Sequence, residues 1–475
     1  MDTSTIAAIA TPGGRGGIGI VKLSGSRAVS IASEIFSPAE PSKPSGPGNP
    51  SSRKVAISSD FDSHRLNYGH IIDPDSGHKI DEVLLTVMLA PRSYTREDVV
   101  EINAHGGQVA LNSILELVCK FGARIAAPGE FTRRAFLNGR IDLTQAEAVI
   151  DIINARTDKS LQIATAQVDG NLRRSVEQIQ EFLIDRLAHT EAAIDFPDDV
   201  EDIGEPQKIA ADLRAAVIEP LQTLIRHHVE GRVLRDGLRV AVAGRPNVGK
   251  SSLLNCLVQK ERAIVTEVPG TTRDMIEETI NIDGYGVILA DTAGLHKTDD
   301  PIEILGIQKT LENVNGADLV LFMIEANRPV TAEDHSVFER LHAKPMIIVM
   351  NKIDLINGDD GCQLPATWQQ FDCVQTSALY DRGIDQLKDR IVDAAFGKNP
   401  IDLEAAVVPN LRQKMLMETS LEAALAVCQG LENGTPMELI AINIQEAIDS
   451  LNQILGTHVK IDLLDEIFSR FCIGK

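Results

Sequence analysis

Positive charge is in short supply along this chain, where 46 lysines and arginines stand against 68 aspartates and glutamates for a net charge of -22. Neutralising phosphates takes clustered Lys and Arg, so the acidic average excludes a broad nucleic-acid footprint and leaves RNA contact to a local patch or a partner. Cysteine is sparse as well. The six present, Cys119, Cys256, Cys362, Cys373, Cys428 and Cys472, form no C-x-x-C pair and have no histidine at ligand spacing. That excludes a zinc site or a disulfide framework and fits a reducing cytosol. No apolar run is long enough to span a bilayer, and the first residues lack the basic start and long apolar stretch of a signal peptide. A cytoplasmic protein with no membrane partner is expected. Aromatic residues make up only 4%, but 43% hydrophobic and 24% charged residues describe a folded, water-soluble chain.

At 475 residues the chain exceeds what one core usually serves, so two to four domains are expected. Thr5 to Leu23, Leu66 to Ile72, Glu82 to Leu89 and Asp98 to Ala104 read as strands, followed by a helix around Val109 to Val118: an α+β domain. Ser37 to Ser52, dense in Pro, Gly and Ser, reads as a surface loop. From Leu143 to about Leu234 the period turns helical, with Leu172, Val176, Ile179, Leu183, Leu187 and Ile194 on one stripe. A helical pattern resumes near Leu411, with Leu421, Leu425 and Cys428 at helical spacing. Between the two helical segments lies an α/β unit. It reads as an insertion into one helical domain, two independent helical domains being the alternative. The division that follows is 1–122 for the α+β domain, 123–236 and 399–475 for the helical domain, and 237–398 for the inserted α/β domain.

Apolar runs in that unit, Leu238 to Ala243, Val287 to Ala290, Leu319 to Ile324, Met346 to Met350 and Val374 to Thr376, each end at a nucleotide motif, where open parallel sheets place their ligands. In Gly244-Arg-Pro-Asn-Val-Gly-Lys-Ser251 the glycines let backbone N–H groups curl round phosphates, Lys250 brings a compact positive charge, and the Ser251 hydroxyl can ligate Mg2+. Gly270-Thr-Thr-Arg-Asp274 offers Thr272 as a second Mg2+ ligand. In Asp291-Thr-Ala-Gly294, Asp291 can hold the metal through water while the Gly294 N–H senses the γ-phosphate. Asn351-Lys-Ile-Asp354 reads the base: the Asp354 carboxylate accepts from two adjacent donors that guanine presents and adenine does not, so GTP is preferred. Ser377-Ala-Leu379 is the loop that touches the base oxygen. Leu295 stands where many GTPases carry a water-orienting glutamine, so hydrolysis is organised differently; Asn247 and Glu303 are the two candidates.

These motifs, with a terminal Phe471-Cys-Ile-Gly-Lys475, Ile9-Ala-Thr-Pro-Gly-Gly-Arg-Gly-Gly-Ile-Gly-Ile20, Pro128-Gly-Glu-Phe131, Ala135-Phe-Leu-Asn138, Leu143-Thr-Gln-Ala-Glu147 and Ala193-Ile-Asp-Phe196, make a chain that resembles the MnmE (TrmE) family of bacterial tRNA-uridine modification GTPases along its whole length. The GTPase motifs alone would not separate that family from ribosome-assembly GTPases; the two ends do. The resemblance implies an N-terminal α+β dimerisation domain that binds a 5-formyl-tetrahydrofolate-type folate, a helical domain, and an inserted Ras-like P-loop GTPase domain. It implies a homodimer and a partner, the flavoprotein MnmG (GidA), with which the family installs an aminomethyl-type group on carbon 5 of the wobble uridine of certain tRNAs. The nucleotide would be held by Asn247, Val248, Gly249, Lys250, Ser251 and Ser252, by Thr266, Glu267, Val268, Pro269, Gly270, Thr271 and Thr272, by Asp291, Thr292, Ala293 and Gly294, by Asn351, Lys352 and Asp354, and by Ser377 and Ala378. K+ held by Asn247, Thr266, Val268 and Thr271 would supply the positive charge that an arginine finger supplies elsewhere. The family's water-organising glutamate falls on Glu303.

For folate, the resemblance leads one to expect arginine at Lys22 and lysine at Arg140, while Glu101 matches and Lys475 lies nearby. Both exchanges keep the charge but not the donor geometry; the alternative is that Lys22 and Arg140 are surface charges. Ala127 stands where the family commonly has arginine. Cys472 reads either as the reactive thiol of the modification or as a small buried residue. His105, in Asn103-Ala-His-Gly-Gly107, reads as part of a turn beside the folate pocket rather than a metal ligand. Two rival functions remain: a ribosome-assembly switch, which predicts a basic RNA-binding appendage, and a folate-dependent aminomethyl transferase with an accessory GTPase.

Overall fold

The computed structural model of the chain describes residues 4–14, 16–39, 61–196, 205–260, 277–291, 316–356, 362–396, 407–457, 459 and 461–475. It divides into two compact units, Met1–Ile150 with Leu455–Lys475, and Asp151–Ile454.

The first unit is built on a seven-stranded sheet of β1 (Ile6–Ile9), β2 (Ile18–Ser24), β3 (Phe36–Pro38), β4 (Leu66–Ile72), β5 (Lys79–Met88), β6 (Val99–His105) and β7 (Arg124–Ile125), in the order β3-β4-β5-β6-β2-β1-β7. The run expected over Thr5 to Leu23 is a hairpin: Ile6 pairs with Ser24 and Ile9 with Val21, because the Pro12-Gly13-Gly14 stretch breaks it. The loop expected from Ser37 to Ser52 begins later, since Ser37 and Pro38 belong to β3. That strand lies at the sheet edge, where a residue without an N–H is tolerated. Residues 40–52 lie outside the described set. Helices α1 (Ala28–Ile35) and α2 (Gln108–Lys120) cover one face, burying Val21, Leu23, Ile71, Leu85, Val100 and Ile102. On the other face Ile6 and Ala8 pack on Phe131 of α3 (Glu130–Leu137), while Leu66, Tyr68 and Leu84 stand exposed.

The chain end returns to this unit. Leu143 and Ala146 of α4 (Leu143–Asn154) cluster with Leu464 and Phe468 of the helix Ile461–Ser469 and with Phe471. The Gly129 N–H donates to the Cys472 carbonyl at 3.3 Å and the Phe131 N–H to the Lys475 carbonyl at 3.2 Å. Gly474, at φ 94°, permits the close approach: a Cβ there would lie 2.7 Å from Ala10 Cα.

In the second unit α5 (Asp158–Val168), α6 (Asn171–Asp195), α7 (Pro206–Leu213) and α8 (Glu219–Asp236) precede a six-stranded sheet. Leu172, Val176, Ile179 and Leu183 of α6 are buried on the expected stripe, with Leu187 and Ile194 half-buried toward its end. The helix Leu411–Asn433, capped by Asn410, packs on α7 and α8, so helices from both sides of the sheet in sequence meet in space. Its buried face is Met417, Ala424, Val427 and Cys428. Leu425, counted on that face from spacing alone, is 40% exposed. The stripe passes through Ala424 instead, one position earlier.

The sheet consists of β8 (Leu238–Ala243), β9 (Glu277–Ile282), β10 (Tyr285–Asp291), β11 (Leu319–Glu325), β12 (Met346–Asn351) and β13 (Asp372–Gln375), in the order β13-β12-β11-β8-β10-β9. All are parallel except β9, which pairs antiparallel with β10 through the turn at Asp283-Gly284, φ 51° and 84°. Every residue of β11 and β12 is buried. Helix α9 (Lys250–Lys260) and the helix Ile384–Phe396 pack on one face; the helix Ala332–Leu341 and Trp368 pack on the other. Covering both faces is what a parallel sheet requires. Each of the five parallel strands therefore ends at the same edge.

Candidate nucleotide-binding site

At that edge β8 runs into Gly244 and the chain turns through Asn247 at φ 61° and Gly249 at φ 103° before α9 opens at Lys250. Left-handed residues alternating with right-handed ones curl a loop so that successive N–H groups can face one anion, with the helix N-terminus behind them. The Lys250 ammonium lies over the loop, donating to the Gly244 carbonyl at 2.8 Å and the Arg245 carbonyl at 3.0 Å. Ser251 is exposed on the first turn of α9.

Asn351, 3% exposed at the end of β12, joins three loops. Its Nδ2 donates to the Val248 carbonyl at 2.8 Å; its Oδ1 accepts from the Ala378 N–H at 3.0 Å and from the Thr376 hydroxyl at 3.3 Å. Gly249 has to be glycine in this setting, since a Cβ there would overlap Asn351 Nδ2. The Ser377 hydroxyl donates to Asp354 Oδ1, which aims the base-reading carboxylate. Ser252, Asn255, Cys256 and Gln259 of α9 face Ala378, Leu379 and Asp381 across a cleft beside these motifs.

Lys352, φ 67°, donates to the Asn247 carbonyl at 2.6 Å and pairs with Glu325, the last residue of β11. Glu325 also accepts from Arg245 at 2.8 Å. Burial by itself would raise the Glu325 carboxyl; the Lys352 hydrogen bond, with Arg245 and Arg328 near, outweighs it and holds the group below the usual carboxylate range. Sequence reasoning passed over Glu325, Arg245 and Thr376. A carboxylate closing an otherwise apolar strand at the ligand edge was the available signal.

A second cluster lies in the first unit. The Lys22 ammonium, 3.7 Å from Glu101 Oε1, sits 4.8 Å from the Tyr94 ring centre and 5.2 Å from that of Phe131. The Arg140 guanidinium lies 4.7 Å from the same Tyr94 ring. Burial depresses the Lys22 pKa, the charges of Lys475 and Arg140 add to that, and Glu101 opposes it. Lys22 and Arg140 thus meet at an aromatic wall, with the Lys475 charge felt at Lys22; Lys22 is half-buried rather than a solvated surface charge, whereas Arg140 is exposed, as a surface charge would be. Behind the wall Glu130 accepts from Arg124 at 2.6 Å and from Arg134 at 3.0 Å, and Arg134 reaches Glu97 at 3.0 Å.

A family model for the MnmE helical domain matches residues 143–472, and one for the N-terminus of the GTP-binding protein TrmE matches residues 5–140. The chain belongs to the MnmE/TrmE family. It is 44% identical over 479 residues to the tRNA modification GTPase MnmE of Moorella thermoacetica, covering 100% of both chains. With the protein of that name from Geobacillus kaustophilus it shares 42% over 476 residues, 99% of each. Among solved structures, the G domain of the T. maritima FeoB iron transporter is similar at 28% identity over 33% of this chain and 98% of that one, with a TM-score of 0.25.

Of the residues that the MnmE resemblance names, Thr266, Glu267, Val268, Pro269, Gly270, Thr271, Thr272, Thr292, Ala293, Gly294, Leu295 and Glu303 lie outside the described set. For Asp291 the backbone is described, at the end of β10 in register with Val242. Cys472 is exposed, which removes the reading of it as a buried small residue. His105 closes β6 instead of lying in a turn. Its ring nitrogen Nδ1 lies 2.7 Å from Asp81 Oδ1, a hydrogen bond that raises the histidine pKa. Among the described residues no helix is long and apolar enough to cross a membrane, and no group of His, Cys, Asp and Glu could hold a metal ion.

Proposed function

We propose that this chain is a K+-dependent GTP hydrolase that acts with an MnmG-type flavoprotein to add a carboxymethylaminomethyl or aminomethyl group to C5 of the wobble uridine, U34, of certain tRNAs. Membership of the MnmE family, whose compared relatives are tRNA modification GTPases over their full length, supports the overall activity. The observation that carries the nucleotide reading is Asn351, a single buried side chain that binds the phosphate loop and the base-side loop at once. Lys250 and the N–H groups of the loop suit the phosphates, and Asp354 suits guanine.

Mg2+ would be held by Ser251 and Thr272, with Asp291 behind it. K+ would be held by Asn247, Thr266, Val268 and Thr271. The Asn247 carbonyl is engaged by Lys352, while its side chain is exposed and has no hydrogen-bond partner among the described residues, which suits it as a ligand. Bound there, K+ supplies positive charge facing the phosphates. Glu303 orients the attacking water, since Leu295 cannot.

Lys22 and Arg140 over Tyr94, with the Lys475 charge acting on Lys22, suit an anionic ligand with a flat ring system, in keeping with a 5-formyl-tetrahydrofolate-type folate. The exposed Leu66, Tyr68 and Leu84 on one sheet face support a homodimer through the first unit. A net charge of -22 supports tRNA contact made largely by the MnmG-type partner. The domain reading is likewise a proposal: residues 1–122 for dimerisation and folate, 237–398 for GTP, and 123–236 with 399–475 as one helical domain.

GTP turnover in K+ against Na+ at equal ionic strength tests the mechanism. Strong slowing in Na+, about tenfold or more for a lost transition-state charge, is expected; equal rates would remove the K+ site.

A further inference from the structure

The geometry points to Glu325 as a positioning residue that locks the phosphate loop and the base-reading loop into one cradle. The inference rests on the GTP reading above and goes beyond it, because the motifs name the two loops but not what fixes their separation.

Each loop contains a non-glycine residue in the left-handed region, Asn247 at φ 61° in one and Lys352 at φ 67° in the other. Such a backbone persists only where its surroundings over-determine it. Here one ammonium spans the gap: Lys352 Nζ donates to the Asn247 carbonyl at 2.6 Å. A lysine ammonium at the end of four rotatable bonds does not hold one carbonyl by itself. Glu325 supplies the constraint. Its side chain is 7% exposed and grows from the last residue of β11, directly opposite Asn351 in the parallel ladder. One carboxylate oxygen accepts from the Lys352 ammonium; the other accepts from Arg245 Nη2 at 2.8 Å, and Arg245 is the second residue of the phosphate loop. The two loops are therefore pinned to the same carboxylate from opposite sides.

Arg245 is held in turn. Its Nε lies 3.3 Å from Asp334 Oδ1, an ion-pair contact without hydrogen-bond alignment, and Asp334 is 2% exposed while its Oδ2 caps the helix Ala332–Leu341 through the Thr331 N–H at 2.9 Å. The carboxylate thus has a rigid strand beneath it and a fixed helix beside it. Charge-assisted bonds in a half-dry setting are roughly twice as strong as neutral ones, and breaking one partner leaves the other charged group uncompensated. Glu325 acts through Lys352 and Arg245.

The test is a double-mutant cycle in the full-length chain, pairing Glu325→Gln with Lys352→Met and read as the dissociation rate of a fluorescent GDP. Glu325→Gln keeps the shape and removes the charge. It is expected to speed GDP release by about tenfold, with the double variant falling well short of the product of the two single effects, because both substitutions remove one link. Glu325→Asp, which keeps the charge, is expected to restore at least part of the lost retention. A melting curve without nucleotide accompanies each variant. Multiplicative effects of the two substitutions would overturn the inference, as would a lowered melting midpoint with an unchanged release rate. If Glu325→Gln does not fold, the cycle pairs Lys352→Met with Arg245→Met, which break the two links to the same carboxylate, and the same two outcomes decide. Failure of the wild-type chain to bind GDP at all would instead sink the GTP reading.

Discussion

Replacing Asn351 by alanine probes the nucleotide site at its densest point. The substitution removes the amide that donates to the Val248 carbonyl at 2.8 Å and the oxygen that accepts from the Ala378 N–H and the Thr376 hydroxyl. A neutral hydrogen bond contributes about 1 kcal/mol net, and a buried group left without a partner costs about 1–3 kcal/mol. The Thr376 hydroxyl can rotate to another acceptor; the Val248 carbonyl and the Ala378 N–H cannot. The loss is therefore about 3 kcal/mol. Because the three partners lie on loops that meet at the nucleotide, most of it should fall on binding and the rest on stability. At about 1.4 kcal/mol per tenfold, the dissociation constants for GDP and GTP should each rise by about 100-fold. Titration of Asn351→Ala with fluorescent GDP, beside urea unfolding of the nucleotide-free protein, reads both parts. A change under threefold in affinity together with an unmoved unfolding midpoint would refute the reasoning.

Asp354→Asn should lower GTP affinity by about 100-fold and gain binding of the xanthine nucleotide, whose C2 carbonyl oxygen can accept from the new amide; competition titration with the two nucleotides reads the exchange. Glu303→Ala should leave GTP affinity unchanged while cutting single-turnover hydrolysis by about 100-fold or more, a split that loss of a water-orienting group alone produces.

How legible this was in sequence differs between the units. The five parallel strands could be placed because each is a short apolar run ending in a motif, so that the periodic signal and the chemical signal coincide. Strand β9 was passed over: Glu277-Glu-Thr-Ile-Asn-Ile282 alternates, and Asp283-Gly284 is a hairpin turn pair, but no motif drew attention to it. In the helix Leu411–Asn433 the spacing gave the period, yet its buried face includes the small residues Ala423 and Ala424, which carry little weight in a hydrophobic pattern. The convergence of Lys22, Glu101, Arg140 and Lys475 could not be read from their separation in sequence. It depends on β2 pairing with β6, which sets Lys22 opposite Glu101, and on the chain end docking at Gly129 and Phe131. Glu325 was passed over for a related reason: one acidic residue of 68 stands out only when Lys352, Arg245 and Arg328 are found around it.

The claim on which the account stands is that this chain uses GTP to modify the wobble uridine of tRNA. Nucleoside mass spectrometry on tRNA from cells lacking the chain, and from the same cells supplied with wild-type or Glu303→Ala protein, tests it most directly. The aminomethyl-type group on U34 is expected to disappear without the chain, return with the wild type and stay absent with Glu303→Ala. Wobble uridine equally modified with and without the chain would contradict it.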